Sequence, residues 1–142
     1  GDETPEFLAE LFTYNPSLQL MRAFRVGSEG CGEVAAYLAE CDHLGVPIHR
    51  CLIDARVDGA FGGTGVVAPW EVVANRYQFS TWPPLVLAGG LAPENVGEAI
   101  RSVKPWGVDV ASGVEYSPGV KDIARIRQFV TAVREVEMEL GK

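Results

Sequence analysis

The chain alternates short apolar runs with longer amphipathic segments, and this pattern predicts four strands separated by helices. The predicted strands are residues 20–26, 48–54, 85–88 and 107–111. The predicted helices are one that starts after Thr4 and stops at Asn15-Pro16, then 32–41, a short one from about Trp70, 93–103 and 122–139. Strands alternating with helices are typical of repeated βα units around a parallel sheet.

Two architectures fit these units. Four parallel strands with outer helices make either half of an eight-stranded (βα)8 barrel, the TIM barrel, or a small open doubly wound sheet. In both, ligands bind at the carboxyl ends of the strands, so the loops that follow the strands are the place to look for chemistry. No linker or low-complexity segment divides the sequence, and we expect one domain unit over residues 1–142.

Composition and charge narrow the possible partners. The 142 residues are 47% hydrophobic and 22% charged, which is ordinary for a globular protein. The net charge of -7 disfavours binding to nucleic acid or to anionic membranes. No signal peptide and no apolar run of about 20 residues is visible. We therefore expect a cytoplasmic protein that acts on a small molecule.

The cysteines predict no metal site. Cys31, Cys41 and Cys51 are isolated from one another and lack the close Cys or His pairs that a zinc site needs. We interpret them as reduced structural thiols.

Two turns rich in small residues follow the last two predicted strands. Gly89-Gly90 lets the backbone approach a ligand closely, and Ser112-Gly113 forms a second turn of the same kind. The loops after the last two strands of a TIM barrel are its recurrent phosphate site. We therefore predict that these four residues bind phosphate, although either turn alone could serve only as a turn or helix cap.

Asp54 is the candidate acid. It closes an apolar strand and, by alternation, shares a face with Arg50 and Leu52. A strand-end aspartate can also cap a loop or pair with an arginine. The long glycine-dotted stretch 55–69 that follows resembles a lid, and a lid beside a carboxylate suggests acid-base catalysis.

The same segments resemble the phosphoribosylanthranilate isomerase family. The resemblance is carried by Cys51-Leu52-Ile53-Asp54 with Gly62-Gly63-Thr64-Gly65, by residues 87–96, by 107–115 and by 118–122, in the family's order and spacing. Residues 1–5 and 23–26 resemble the family's segments after barrel strand four and in strand five. The resemblance thus covers essentially the whole chain, including the strand that ends at Asp54.

The resemblance implies the C-terminal half of a barrel, strands five to eight, from an enzyme of tryptophan biosynthesis. It assigns Asp54 as the general acid of an Amadori rearrangement, in which an aminoaldose becomes an aminoketose. It also implies that Asp109, Gly63 and Gly65 lie near a phosphorylated substrate, and that no cofactor or metal is used. For Asp109, a buried aspartate bonded to a neighbouring strand is an equally good interpretation.

The positions at which the chain departs from the family are as informative as those that match. The family's base, a cysteine on strand one, and the arginine after strand two that holds the substrate carboxylate have no counterpart here, and Ala111 replaces a common serine. The first residue is not methionine and lies inside a family motif. We therefore expect a piece of a longer enzyme, inactive alone.

Such a piece should form a homo-oligomer or associate with the missing N-terminal half through its open sheet edges and an inner face carrying Leu52 and Leu87. Two alternatives stay open: a non-catalytic phosphate-binding half-barrel module, and another phosphate-binding barrel isomerase.

Overall fold

The computed structural model describes residues 2–55 and 69–141. The helices are α1 (Pro5–Tyr14), α2 (Gly32–His43), α3 (Pro69–Arg76), α4 (Val96–Val103) and α5 (Ile123–Glu139), with a 3-10 turn at Ser112–Val114. The strands are β1 (Met21–Arg25), β2 (Arg50–Asp54), β3 (Leu85–Ala88), β4 (Gly107–Val108), β5 (Glu115–Ser117) and β6 (Val120–Lys121). The predicted βα alternation is confirmed over these residues.

The central sheet is parallel and its strands follow chain order, β1-β2-β3-β4. Connections between parallel strands are right-handed, so consecutive order places the intervening helices on the same face of the sheet. A doubly wound sheet instead reverses its strand order and carries helices on both faces. Within the described residues the sheet has no such reversal, which favours the barrel type of βα unit.

The two faces of the sheet have different surroundings. Cys51 and Ile53 of β2, and their register partners Leu85 and Leu87 of β3, are almost completely buried against the helices. On the other face Leu52 is only half-buried. The prediction that Leu87 lies on the inner face with Leu52 is therefore wrong, because Leu87 pairs with Ile53 and points to the helices.

The predicted start of the first helix is confirmed. The Thr4 hydroxyl accepts a hydrogen bond from the Phe7 amide at 3.3 Å, and Pro5 occupies the first helical position. Leu8 is the buried residue of α1, while Phe7 and Leu11 are exposed.

The terminal helix buries fewer side chains than its pattern predicts. We expected Ile123, Ile126, Phe129, Val130 and Val133 to be buried; Phe129 is 6% exposed, whereas Ile123 is 68% exposed, and Ile126 and Val130 are exposed as well. The other buried residue of α5 is Val136. The apolar pattern of α5 is thus wider than the face that contacts this chain.

The fourth strand is shorter than predicted, and a hairpin follows it. β4 ends at Val108, and the Asp109 amide makes the last bond, to the Leu87 carbonyl oxygen at 2.8 Å. β5 and β6 then pair antiparallel across Pro118-Gly119. In the described part of the chain, none of the helices is long and apolar enough to cross a membrane.

The three cysteines are buried free thiols, as expected for structural residues. Burial raises the pKa of each, so all three are protonated at neutral pH. Cys51 also lies beside Tyr77, whose pKa is raised mainly by burial and whose hydroxyl donates to the Pro83 carbonyl oxygen.

Candidate functional site

Strand register brings the predicted polar residues to one end of the sheet. Arg25, Asp54 and Ala88 are register partners at the carboxyl ends of β1, β2 and β3. Val108 pairs with Leu87, so Asp109 lies at the level of Ala88. One layer below, Ala23, Leu52, Val86 and Gly107 are register partners that form a largely apolar floor. The site is therefore a polar layer on an apolar base.

Asp54 contributes a carboxylate oxygen without a partner. Its Oδ1 is buried, and no described residue donates a hydrogen bond to it. Its backbone carbonyl oxygen accepts from the Val26 amide at 3.1 Å, which holds the strand end in place. A buried carboxylate oxygen without a donor is costly in a folded protein, and such groups concentrate where ligands bind. The alternative interpretation, in which Asp54 caps a loop or pairs with an arginine, finds no such contact among residues 2–55 and 69–141.

Gly89 allows Asp54 to sit where it does. A Cβ on Gly89 would lie 2.5 Å from Asp54 Oδ1 and 2.7 Å from the Ala55 amide nitrogen. Its φ of +94° also lies in the region that favours glycine. Gly89 is therefore needed for close packing of the β3 turn against the end of β2.

A cavity of about 190 Å³ joins most of the predicted site residues. It is lined by the ends of three strands and their loops: Leu52, Asp54, Ala88, Gly89, Gly90, Leu91, Asp109, Val110, Ala111 and Ser112. Asp54 lines this cavity together with the two small-residue turns. The structure thus brings Asp54, Gly89, Gly90, Asp109 and Ser112 together, as the strand-end argument predicts.

The Gly90 turn is open and held in shape by a side chain that we had not singled out. A Cβ at Gly90 would meet no atom within 4 Å, and its φ is +62°. Asn95 accepts a hydrogen bond from the Ala92 amide at 2.8 Å and donates to the Gly90 carbonyl oxygen at 2.9 Å. No described residue accepts a hydrogen bond from the Gly90 or Ser112 amide. Free backbone amides in such turns are typical of anion sites.

Gly113 has a packing role that the sequence did not predict. It is absent from the cavity lining, and a Cβ there would overlap the Leu91 carbonyl oxygen. Gly113 thus lets the loop after β4 pack directly on the loop after β3. A phosphate contact at Gly113 stays a prediction.

Side chains of the hairpin and of α5 support these loops. Lys121 Nζ donates to the Ala111 carbonyl oxygen at 2.9 Å and to Glu115 Oε1 at 2.8 Å. The hydrogen bond from Lys121 holds the pKa of Glu115 below its usual range. Arg125 donates through Nε to the Gly113 carbonyl oxygen at 2.9 Å and forms an ion pair with Glu94 at 3.0 Å.

The remaining predicted residues divide into two cases. Asp109 is exposed, and its contact with the neighbouring strand is made by its backbone amide, so the alternative of a buried, structurally bonded aspartate is wrong. Gly63, Gly65 and most of the predicted lid lie outside the described residues.

Sequence reasoning missed two residues of this end of the sheet, Asn95 and Arg25. Asn95 stands three residues after Ala92, a spacing that permits the turn-stabilising bond it makes. Arg25 could have been found by aligning the predicted strands, because it shares a face and a level with Asp54.

Comparison with known proteins agrees with this geometry. The family model for N-(5'-phosphoribosyl)anthranilate (PRA) isomerase matches residues 2–132. The chain belongs to the phosphoribosylanthranilate isomerase family. The family's Trichlorobacter lovleyi member is 40% identical to the chain over 135 residues, which are 95% of the chain and 58% of that protein.

Solved structures of phosphoribosylanthranilate isomerases share the fold. That from Thermococcus kodakaraensis matches with a TM-score of 0.63 and 38% identity, covering 94% of the chain and 60% of that protein. Another phosphoribosylanthranilate isomerase was solved with reduced 1-(o-carboxyphenylamino)-1-deoxyribulose 5-phosphate. It matches with a TM-score of 0.59 and 25% identity, over 94% of the chain and 68% of that protein.

The matched part of the chain spans 38% of the length of the Roseiflexus sp. relative and 61% of the Bordetella avium relative, both phosphoribosylanthranilate isomerases. The activity of those whole proteins is therefore proposed, not stated, for this chain.

Proposed function

We propose that the protein containing this chain isomerises N-(5'-phosphoribosyl)anthranilate in the cytoplasm, for tryptophan biosynthesis, with Asp54 as general acid. The observation that carries the proposal is a single cavity lined by Asp54 and by the Gly90 and Ser112 turns, in which Asp54 Oδ1 and the two backbone amides have no hydrogen-bond partner among the described residues. An Amadori rearrangement of a phosphorylated sugar needs both parts: a group that exchanges a proton with the sugar, and an anchor for the phosphate.

In this proposal the phosphate lies between Gly90 and Ser112, held by backbone N–H groups. This way of binding an anion suits a chain with a net charge of -7, since it needs no basic patch. Ala111 offers no hydroxyl, and the nearby Lys121 is engaged by Glu115 and by the Ala111 carbonyl oxygen. Gly113 contributes by keeping the two loops in contact.

Asp54 protonates the furanose ring oxygen, and the C1′–O bond breaks as nitrogen forms an imine to C1′. A base then removes the C2′ proton to give an enolamine, which tautomerises to the ketone. Asp109 lies near the ribose, and Gly63 and Gly65 belong to the loop that covers it. The base and a carboxylate-holding arginine are expected on strands that this chain does not contain. No metal or cofactor enters this scheme.

We further propose that the four-stranded sheet is half of a closed (βα)8 barrel. Within the described residues β1 and β4 each have one unpaired edge. Exposed apolar side chains lie on the first and last helices: Phe7 and Leu11 on α1, and Ile123, Ile126 and Val130 on α5. Four further strands with their helices would pair these edges and cover these side chains. A second copy of this chain could occupy the same edges.

The test is complementation of a bacterial strain that lacks phosphoribosylanthranilate isomerase. The chain is expressed alone, and together with the N-terminal part of the Trichlorobacter lovleyi relative that it does not cover. We expect growth without tryptophan from the pair and none from the chain alone. Asp54→Asn in the pair should lower turnover by about two to four orders of magnitude, because proton transfer contributes about that much.

Asp42→Asn, at an exposed position on α2, is the matched control and should leave growth and turnover unchanged. Size-exclusion chromatography with light scattering on the same samples measures association. Unchanged turnover in Asp54→Asn would reject the acid assignment. A monomeric and active chain alone would reject the half-barrel proposal.

A further inference from the structure

A second cavity meets the first at Asp54. Its volume is about 560 Å³, and Leu52 and Asp54 line both cavities. The first cavity is lined by the Gly90 and Ser112 turns. The second crosses the edge of β1 that is unpaired in the described sheet, and it is lined by the inward-facing Ala23 and Arg25 as well as by the helix-facing Arg22 and Phe24. A ligand anchored in the first cavity can therefore pass over Asp54 and reach β1.

Arg25 carries the one cationic side chain of the described inward-facing residues at this level. Its register partner is Asp54, and Ala88 and Asp109 complete the layer. Its side chain is exposed and makes no ion pair or hydrogen bond with any described residue. Arg22, on the opposite face of β1, differs: its Nη1 lies 3.3 Å from Glu3 Oε2, and its Cζ lies 4.9 Å from the centre of the Tyr37 ring. The guanidinium of Arg25 is thus available to an anion.

The apolar floor shows what kind of group would lie between the two anion positions. Ala23 and Leu52 lie directly below Arg25 and Asp54 and present hydrocarbon surface toward the cavities. An aromatic ring would remove this surface from water, while an ortho carboxylate on it would meet the guanidinium. Arginine recognises carboxylates well because its planar fork donates two parallel hydrogen bonds.

We propose that Arg25 is a specificity-determining residue that binds the aryl carboxylate of the substrate, on the side of Asp54 opposite the phosphate. This inference rests on the proposed function. It gives the chain a carboxylate contact of its own, in addition to the arginine expected on the absent strands. It also orients the substrate, with phosphate toward β3 and β4, the aryl group over β1, and the reacting sugar carbons at Asp54.

Two acidic residues, Asp2 and Glu33, also line the second cavity. If Arg25 instead served as their counter-ion, replacing it would change stability and affinity in the same way for every ligand. A carboxylate contact predicts an effect that depends on the ligand. The experiment therefore compares two ligands that differ only in the carboxylate.

The probes are reduced 1-(o-carboxyphenylamino)-1-deoxyribulose 5-phosphate and the phenylamino compound without the carboxyl group. Each is titrated into the 142-residue chain while amide shifts are followed by NMR, which detects millimolar binding. Arg25→Met keeps an unbranched side chain without the charge. Arg127→Met, at an exposed position on α5, makes the same charge change away from the site.

We expect Arg25→Met to weaken binding of the carboxylated probe by about 10- to 100-fold, the effect of losing hydrogen bonds to a charged group. Binding of the second probe should change less than about twofold, within the scatter of surface substitutions. Arg127→Met should match the wild type for both probes.

Equal losses for both probes, or no loss for either, would overturn the assignment of Arg25. In that case, wild-type shifts at Gly90 and Ser112 with inorganic phosphate would show that the proposed phosphate site survives. No binding of either probe to the wild type, with no shifts from phosphate, would overturn the proposed site together with the inference.

Discussion

Gly113→Ala should destabilise the chain even though the new side chain is a single methyl group. A Cβ at Gly113 would overlap the Leu91 carbonyl oxygen and would lie 2.9 Å from the Leu91 carbonyl carbon and 3.1 Å from Ala92 Cα. All three atoms belong to backbone, so relief requires the two loops to separate. Overpacking typically costs about 1–3 kcal/mol, and we expect the upper end, about 3 kcal/mol, because no flexible side chain can yield.

The measurement is urea denaturation followed by circular dichroism, with the free energy of unfolding extrapolated to water. A loss of about 3 kcal/mol corresponds to a fall in Tm of roughly 10 °C for a chain of this size. Gly32→Ala is the control, because its Cβ would meet no atom within 4 Å and it lies in the first turn of α2. We expect that control to be neutral or slightly stabilising. A loss below about 0.5 kcal/mol in Gly113→Ala, the scatter of ordinary surface substitutions, would show that the loops are not held in contact.

Two further predictions concern the Gly90 turn and the buried thiols. Gly90→Val should abolish the NMR shifts caused by inorganic phosphate. It should lower the free energy of unfolding by only about 1–2 kcal/mol, because the φ of +62° is strained for valine but the space around the Cβ is open. Unchanged phosphate shifts would show that Gly90 serves only to form the turn. Burial raises the pKa of Cys31, Cys41 and Cys51 in the folded chain. The stability that comes from keeping these thiols protonated is therefore complete below the unfolded thiol pKa of about 8.5, and it is lost as pH rises through the higher pKa values of the folded state. Urea denaturation at about pH 7.5 and pH 9.5 should show this loss, and equal stability at the two pH values would contradict it.

The sequence was most informative where a local pattern and its neighbours require the same structure. Leu85–Ala88 was predicted with its observed bounds because all four residues are buried between two other strands. Asp54 was placed on the correct face because the alternation along β2 is regular, with Cys51 and Ile53 buried and Leu52 half-buried. Period-two burial along one strand is sufficient for that inference.

The errors arise where the environment, not the pattern, determines the outcome. Ile123, Ile126 and Val130 have the spacing of a buried helix face, yet no described element covers them. Hydrophobic periodicity states which face is apolar and not what lies against it. The hairpin of β5 and β6 was missed because its strands are only three and two residues long, too short for an alternation to be visible. The space that excludes a side chain at Gly113 is set by Leu91, twenty-two positions earlier in the chain, and no local pattern reports it.

The contacts around Gly113 affect how tightly an anion can bind. Arg125 bonds to the Gly113 carbonyl oxygen and to Glu94, and Asn95 fixes the turn that carries Gly90. The two loops and the start of α5 are therefore joined into one unit before any ligand arrives. A preorganised receptor loses little conformational entropy when it captures its ligand, so more of the hydrogen-bond energy is retained as affinity. Substitutions at Arg125 or Asn95, which lie outside the cavity lining, should therefore act on phosphate affinity through loop entropy.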